Sequence, residues 1–457
     1  MLPENFKERM KRLLGKEYDA FLCAMTEEEP KRAFRINRIK APSAEIIEQT
    51  LADGKIPYEK DGYFLKSDLA VGKSAFHHAG AIYVQDPGAM SALAAINVKE
   101  GSRVIDLCAA PGGKSTKLAE AIGDDGFLLS NEYVPKRAKL LVGNLERLGV
   151  KNAVVTSLDT AEFPKLYDGF FDLVVADVPC SGEGMFRKNP DAIAEWSEDA
   201  VTACKKRQLE ILENAYSLVA PGGTLLYSTC TFSTEENEEN VIEFLNNHSD
   251  FYLGEVDERI IPYTAPAIDT SGIHPEIALG ARRFYPHVSH GEGQFVAVLK
   301  RKEDTREPRG ILFKGKADKP TRDEIRAAEY FFAASLTENP SAELVKHGEN
   351  LVLISHGYPL PTKSVFMSGV LLGEVRNGIL FPSHQFFSSY GRLFKTNIDL
   401  ADDELRLEKY LRGEEISVDK ALKGWCTVTV YGIPLGGAKA SGGTLKNHYP
   451  KGLRNKN

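Results

Sequence analysis

The centre of the chain is predicted to be an α/β domain built on a doubly wound parallel sheet, with smaller α+β modules on both sides. Three observations predict it. From residue 101 onward, short apolar runs alternate with amphipathic helical stretches, the pattern of parallel strands covered on both faces by crossover helices. The runs are separated by enough chain for right-handed crossovers, over about 200 residues. At 457 residues, 42% hydrophobic and 26% charged, the chain has room for several domains and an apolar content that argues against wholesale disorder.

In chain order, residues 5–26 place Phe6, Met10, Leu13 and Leu14 at helical spacing and read as one N-terminal helix. Residues 33–39 read as a strand and 41–53 as a helix, opened by Pro42-Ser43 and closed near Gly54. Short β-like runs continue to Tyr83-Val84. The central strands are expected at 103–107, 126–130, 153–158, 171–176, 224–228 and 294–299, with helices at 115–122, 135–148 and 201–219 between them. Residues 301–310 (RKEDTREPRG) lack apolar periodicity and read as a linker. Beyond it, 322–335 reads as a helix. Asn377-Gly378 between apolar segments signals a hairpin within 365–382. A helix at 402–411 and a strand at 425–433 complete the chain.

No run approaches 18 apolar residues, so no membrane-spanning helix is expected. The first twenty residues lack the apolar core of a secretory signal. The six cysteines form no C-x-x-C and none has zinc spacing to a histidine, which argues against a disulfide framework and a zinc site and favours a reducing, cytoplasmic setting. The histidine pairs His77-His78 and His287/His290 lack further ligands, so no metal is expected. The net charge of −7 argues mildly against nucleic-acid binding. Residues 421–457 nevertheless hold Lys423, Lys439, Lys446, Lys451, Arg454 and Lys456 and no Asp or Glu, a patch able to hold phosphates or merely a solvated tail.

The segment Val104 to Ser115 (VIDLCAAPGGKS) follows a strand and opens a helix. Its small residues let a ligand approach the backbone, and the helix N-terminus favours a carboxylate. It is neither G-x-G-x-x-G nor a P-loop, since Cys108 stands where the first P-loop glycine belongs. Glu132 ends the second strand, where a carboxylate can accept from both hydroxyls of a ribose. Asp159 ends the third strand and Asp177 the fourth. In an open α/β sheet the carboxyl ends of the strands form the ligand edge, so a glycine loop and three carboxylates converge there.

Two cysteines reach the same edge. Cys180 follows Asp177 in DVPCSGEG, and Cys230 follows the next parallel strand in YSTCT. Ser233-Thr234-Glu235-Glu236 has the form of a capping box, which would start a helix beside Cys230 and favour its thiolate. Cys23, Cys204 and Cys426 are expected to be buried small apolar side chains. Cys108 is expected to give the loop its backbone rather than its thiol.

CAAPGGK (108–114), DVPCSGEG (177–184) and YSTCTFSTEENE (227–238), in that order and preceded by QDPGAMS (85–91), resemble the Nol/Nop/Sun family of RNA cytosine-C5 methyltransferases. The likeness covers about residues 80–300. The C-terminal YGIPLGG…GGTLKNHYPKGLR looks like the bacterial RsmF-type subgroup, which acts on 16S rRNA.

The resemblance implies a Rossmann-like S-adenosyl-L-methionine-dependent methyltransferase core at 96–300. It implies an N-terminal RNA-binding domain at 1–95, a central RNA-binding domain at 311–384 and a PUA-like domain at 385–457. It also implies that Cys108, Ala109, Ala110, Pro111, Gly112, Gly113 and Lys114 hold the methionine part of the cofactor. Glu132 would bind the ribose hydroxyls, Asp159 would lie beside the adenine, and Asp177 near the methyl donor and the base. Cys230 would be the nucleophile and Cys180 would assist release. Arg35, Arg38 and Lys40 on the first strand, with the basic tail, would contact RNA. The expected partner is small-subunit rRNA or the 30S particle, with the protein a cytoplasmic monomer. A tRNA substrate, a DNA cytosine methyltransferase, a non-catalytic ribosome-assembly factor and an NAD-dependent dehydrogenase remain alternatives; the glycine loop disfavours the last.

Overall fold

The computed structural model describes residues 2–67, 69–303, 318–355, 357, 360–361 and 363–455. Residues 304–310 of the expected linker lie outside the described residues.

The central ten-stranded sheet includes β1 (Arg103–Asp106), β2 (Phe127–Asn131), β3 (Ala153–Thr156), β4 (Phe171–Asp177), β5 (Val219–Thr229), β6 (Ala281–Phe284), β7 (Gln294–Arg301) and β8 (Val365–Ser368), with short strands Phe251–Leu253 and Ala265–Pro266 on β7 and β6. The first five are parallel neighbours in the order β5-β4-β1-β2-β3, and β7 lies antiparallel on β5 with β6 beyond it. Successive residues of a strand point to opposite faces. Val104, Leu128, Val155 and Val175 therefore join one apolar cluster with Leu118, Leu141 and Leu145 of helices Gly113–Ile122 and Pro135–Arg147. Ile105, Leu129, Val154 and Val174 join another with Ile211, Leu212 and Val241 of helices Glu198–Tyr216 and Glu238–Asn247. The strand order reverses at β1 and β4, and a crevice opens outside their carboxyl ends.

Three smaller sheets surround this core. The N-terminal sheet has the order Ala52–Lys55, Gly62–Leu65, Ala33–Ile36, Ile82–Val84. A four-stranded sheet spans Glu343–His347 to Ile379–Pro382, covered by helix Arg322–Ser335. A five-stranded sheet is formed between Asn397 and Asn447. Asn377 and Gly378 both have positive φ, at 50° and 74°, the geometry of the expected hairpin turn.

Several local expectations differ from the structure. The N-terminal helix is broken into Glu4–Leu14 and Tyr18–Thr26, because Gly15 ends the first helix at φ 54°. The expected strand 425–433 is a hairpin, with Gly424–Val430 and Ile433–Ser441 joined through Tyr431 and Gly432, both at positive φ. The strand Val365–Ser368 pairs with β3 and extends the central sheet instead of remaining within the central module. The basic C-terminal segment is mostly strand rather than a frayed tail.

Arg35, Arg38 and Lys40 are not a free basic face. Arg35 is 1% exposed and pairs with Glu120 at 3.2 Å, and Arg38 pairs with Asp61 at 2.6 Å. Lys40 is buried against the Ser388 hydroxyl at 2.8 Å, and burial pushes its ammonium well below its usual range. Each makes a long-range tie that its charge alone did not reveal. No helix among the described residues is long and apolar enough to cross a membrane. Among the described residues no group of three or more His, Cys, Asp or Glu is arranged to hold a metal ion.

Candidate active site at the carboxyl edge of the sheet

The turn from β1 into helix Gly113–Ile122 is built from residues whose backbone must come close to its neighbours. Gly112 adopts φ 115°, which side chains rarely reach. A Cβ on Gly113 would stand 2.9 Å from Gln85 Nε2. The loop is held from outside. Ala109 N–H donates to the Asn131 carbonyl at 2.8 Å, Arg137 to the Ala110 carbonyl at 2.9 Å and Asn144 to the Pro111 carbonyl at 2.8 Å.

Cys108, Ala109, Ala110, Pro111, Gly113, Lys114, Asp177 and Cys230 line one cavity of about 320 Å³. Tyr83, Gln85, Asp86, Met185 and Gln294 close its other side. Lys114 Nζ pairs with Asp177 Oδ2 at 2.8 Å, and the other Asp177 oxygen accepts from Ser228 at 2.6 Å. Burial works to lower the Lys114 ammonium, but the neighbouring Asp177 outweighs it and the group sits above its usual range. Asp106 is fully buried in the cavity wall. Its Oδ2 accepts from Ser115 at 2.7 Å, its Oδ1 has no partner, and burial pushes the carboxyl up to about 7.

Glu132 and Asp159 lie outside the cavity lining, at the ends of the two strands beyond the glycine loop. Glu132 is buried and accepts from Val134 N–H at 3.0 Å, with Arg137 at 3.5 Å. Asp159 is exposed and caps the following turn through Ala161 N–H.

The two thiols meet. Cys180 Sγ and Cys230 Sγ are 3.2 Å apart, each on a loop leaving the carboxyl end of its strand. Gly184 N–H donates to the Cys230 carbonyl at 2.9 Å, and a Cβ on Gly184 would stand 2.8 Å from that oxygen, so the loops touch where only glycine fits. The hydrogen bond to Cys230, together with burial, holds the Cys180 thiol well above its usual range, so it stays protonated. Burial and the surrounding carboxylates also keep the Cys108 thiol neutral, which suits a backbone role.

The expected capping box does not form. Ser233 donates to Glu183 at 2.7 Å, Glu236 accepts from Ser181 and Gln208, and the helix begins only at Glu238. The helix expected to start beside Cys230 therefore starts eight residues after it. Cys23, expected to be buried, is exposed beside Glu27, Cys204 is half-buried and Cys426 is buried. Sequence reasoning did not assign roles to Gln85, Asp86, Met185 or Gln294. One signal was available for Asp86: Asp-Pro opening a run of small residues is a helix start, and Asp86 Oδ1 accepts from Gly88 N–H at 2.7 Å and from Glu292 N–H at 3.1 Å.

Comparison with known proteins places this geometry. Residues 93–300 match the family model for 16S rRNA methyltransferase RsmB/F. Residues 2–87 match the N-terminal domain of 16S rRNA methyltransferase RsmF, and 395–455 the methyltransferase RsmF PUA domain. The ribosomal RNA small subunit methyltransferase F of Erwinia tasmaniensis is 30% identical, with 99% of this chain and 96% of that protein covered. The chain belongs to the RsmB/F family of 16S rRNA methyltransferases.

The Cronobacter sakazakii protein of the same name is 29% identical over 99% of this chain and 96% of its own length. A methyltransferase homolog from Pyrococcus horikoshii is similar in structure, with a TM-score of 0.57 and 28% identity over 65% of this chain and 95% of that one. NSun6 from the same organism, 21% identical with a TM-score of 0.57 over 66% of this chain and 99% of its own, shares the fold. The central sheet is thus the core of an S-adenosylmethionine-dependent methyltransferase. The RsmB/F cavity fits that cofactor through the glycine turn and the unpartnered Asp106 oxygen, an acceptor awaiting a donor.

Proposed function

We propose that this RsmB/F protein methylates C5 of cytosine in 16S rRNA through a transient bond from Cys230 to C6, with Cys180 assisting release. The observation that carries the reading is the 3.2 Å pairing of the two sulfurs, with Cys230 in the wall of the cavity that the glycine turn also lines. Residues Cys108 to Lys114 hold the methionine part of the cofactor, Glu132 the ribose hydroxyls and Asp159 the adenine side. Bound S-adenosylmethionine supplies an electrophilic methyl on a sulfonium.

C5 of cytosine is a weak nucleophile. Addition of the Cys230 thiolate to C6 makes C5 enamine-like and able to take the methyl. Water takes the C5 proton, the C5–H electron pair becomes the C5–C6 double bond, the C6–S bond breaks, and its electron pair returns to the Cys230 sulfur. A neutral Cys180 S–H donates to that departing sulfur. Asp177, held by Lys114 and Ser228, hydrogen-bonds the edge of the base. The base reaches this crevice only when single-stranded or flipped out.

We place it in the cytoplasm as a monomer, as its resemblance to RsmF-type proteins implies. The flanking modules, 1–95 and 311–457, supply RNA affinity. Exposed Lys439 and Lys446 on the C-terminal sheet, with exposed Lys423 and Lys451 in the same segment, keep the part expected of the basic tail, and Lys439 lies 5.4 Å over the Trp425 ring.

The test is adduct trapping. Incubated with 16S rRNA and S-adenosylmethionine, Cys180→Ala should accumulate a covalent protein–RNA complex stable to denaturation, and Cys230→Ala should form none. The opposite pattern would exchange the two roles, and no adduct from either would remove the mechanism.

A further inference from the structure

Two buried glutamates are crossed between the loops that carry the thiols. Glu183 lies on the Cys180 loop and reaches the Cys230 loop. Its Oε2 accepts from the Thr231 hydroxyl and from Phe232 N–H, both at 2.9 Å. Its Oε1 accepts from the Ser233 hydroxyl at 2.7 Å and from the Trp196 indole N–H at 2.9 Å. Glu236 lies beyond Cys230 and reaches back. Its Oε2 accepts from Ser181 N–H at 2.9 Å and from Gln208 at 2.8 Å, while its Oε1 meets the Ser181 hydroxyl. Between the two carboxylates, the Ser181 and Thr231 hydroxyls are 2.9 Å apart. Glu183 is 1% exposed and Glu236 0%. Neither lines the cavity, and the carboxylate oxygens of both are taken up by residues of the two loops and their neighbours.

A hydrogen count closes this chain with one added proton, and Glu236 Oε1 takes it, because each Glu183 oxygen already accepts from a fixed N–H. Each hydroxyl has a single hydrogen to give. Thr231 gives its hydrogen to Glu183. Were Ser181 to give its own to Glu236, no hydrogen would remain for the Ser181–Thr231 contact. With a proton on Glu236 every contact is satisfied: Glu236 donates to Ser181, Ser181 to Thr231, and Thr231 to Glu183. Burial, which pushes the Glu236 carboxyl up to about 7, acts in the same direction.

We propose that this crossed pair positions the two thiols, Glu236 holding Ser181 and with it Cys180 for release, and Glu183 holding residues 231–233 and with them Cys230 for attack. Both are positioning residues, and their assignment rests on the thiol roles given above. The S-x-x-E signature that resembles a helix cap is thus used across the site, tying together loops that leave neighbouring parallel strands.

The experiment uses the full-length protein, S-adenosylmethionine and 16S rRNA, with Cys180→Ala as the reference for trapped adduct. Glu236→Ala releases Ser181 and is expected to accumulate adduct at least about tenfold above the unsubstituted protein, since small displacements of a reacting group cost rate steeply. Glu236→Gln is expected to rescue release to within about twofold, because its carbonyl keeps the Ser181 N–H and Gln208 while its NH2 donates to the Ser181 hydroxyl. Glu183→Gln has no such solution. Either orientation turns its NH2 against a fixed N–H, that of Phe232 or of Trp196. It is expected to lose adduct and methylated product together, by about tenfold or more.

Ser181→Ala removes one hydroxyl only and should trap RNA more weakly than Glu236→Ala; its thermal unfolding, compared with that of the other variants, separates misplacement from misfolding. If Cys180→Ala traps RNA but a folded Glu236→Ala is slow without trapping it, the positioning role is overturned. A Glu236→Gln as defective as Glu236→Ala overturns it too. If Cys180→Ala traps nothing, the thiol assignment itself fails, and the role of the glutamates falls with it.

Discussion

Gly113 stands where any side chain would press on the cavity wall. A Cβ there would lie 2.9 Å from Gln85 Nε2 and 3.1 Å from Tyr83 Cε1, and both of those side chains line the cavity. Gly113→Ala must therefore displace Gln85 or the glycine turn itself. It is expected to weaken S-adenosylmethionine binding by about tenfold in calorimetry, roughly 1.4 kcal/mol. Unchanged affinity would mean that the cofactor does not approach this turn. The glycine turn was legible in the sequence because a close backbone approach demands small residues at local spacing. Charge was misleading for the opposite reason. Arg35 resembles a phosphate ligand as a letter, yet its partners Thr116 and Glu120 come from a helix far along the chain, at 2.9 and 3.2 Å. Nothing local to residue 35 names them.

Elements whose shape is fixed by neighbours in sequence were readable. Helix Arg322–Ser335 is opened by a capping box from Thr321 to Glu324, and the Asn377-Gly378 turn needs only its own two residues. Where those elements dock on distant partners was not. The N-terminal helices Glu4–Leu14 and Tyr18–Thr26 dock directly on the catalytic loops. Phe6 meets Phe186 at 5.0 Å, Phe21 meets Phe232 at 5.2 Å, and Arg9 pairs with Glu235 at 2.7 Å. Phe186 follows Cys180 by six positions and Phe232 follows Cys230 by two, so this aromatic cluster backs both thiol loops. Phe21 is 1% exposed. Phe21→Ala is expected to cost about 3–5 kcal/mol from lost burial and the cavity left behind. It should lower the unfolding transition that includes the catalytic core and also reduce adduct formation by Cys180→Ala in the double variant. A transition at the temperature of the unsubstituted protein would show that the helices are dispensable to the core.

At the scale of the molecule, the two ends of the chain meet. Phe34, Tyr63 and Ile82 of the N-terminal sheet share an apolar cluster with Tyr410, Val428 and Tyr449 of the C-terminal one, and Phe76 stacks on Tyr431 at 5.5 Å. Asn37 donates to the carbonyls of Gly80 and Leu148, both at 2.8 Å, and ties this body to the methyltransferase core. No periodicity predicts contacts between segments from opposite ends of the chain, so the sequence motifs could name the modules without their arrangement. His384 reports on this junction. Its ring packs edge-on against Tyr449 at 5.3 Å, its Nδ1 has no partner, and burial beside Lys40 pushes its pKa down to about 3. At pH 7 the imidazole is neutral folded and unfolded, so it carries no penalty. Below about 6.5 the unfolded chain takes a proton that the folded junction refuses, and stability falls by about 1.4 kcal/mol per pH unit from this residue. The half-buried Glu146 and the buried Glu236, both pushed up to about 7, act the other way: their folded forms hold the proton more tightly, and stability is gained as pH falls toward the unfolded carboxylate range. The overall profile is therefore a difference of opposed slopes, and only a comparison isolates the histidine. Relative to the unsubstituted protein, His384→Gln should gain about 2 kcal/mol between pH 6.5 and pH 5 in denaturant unfolding, whatever its stability at pH 7. A gap between the two proteins that stays constant over that range would mean that the folded junction accepts the proton, and that His384 is not sealed between the modules.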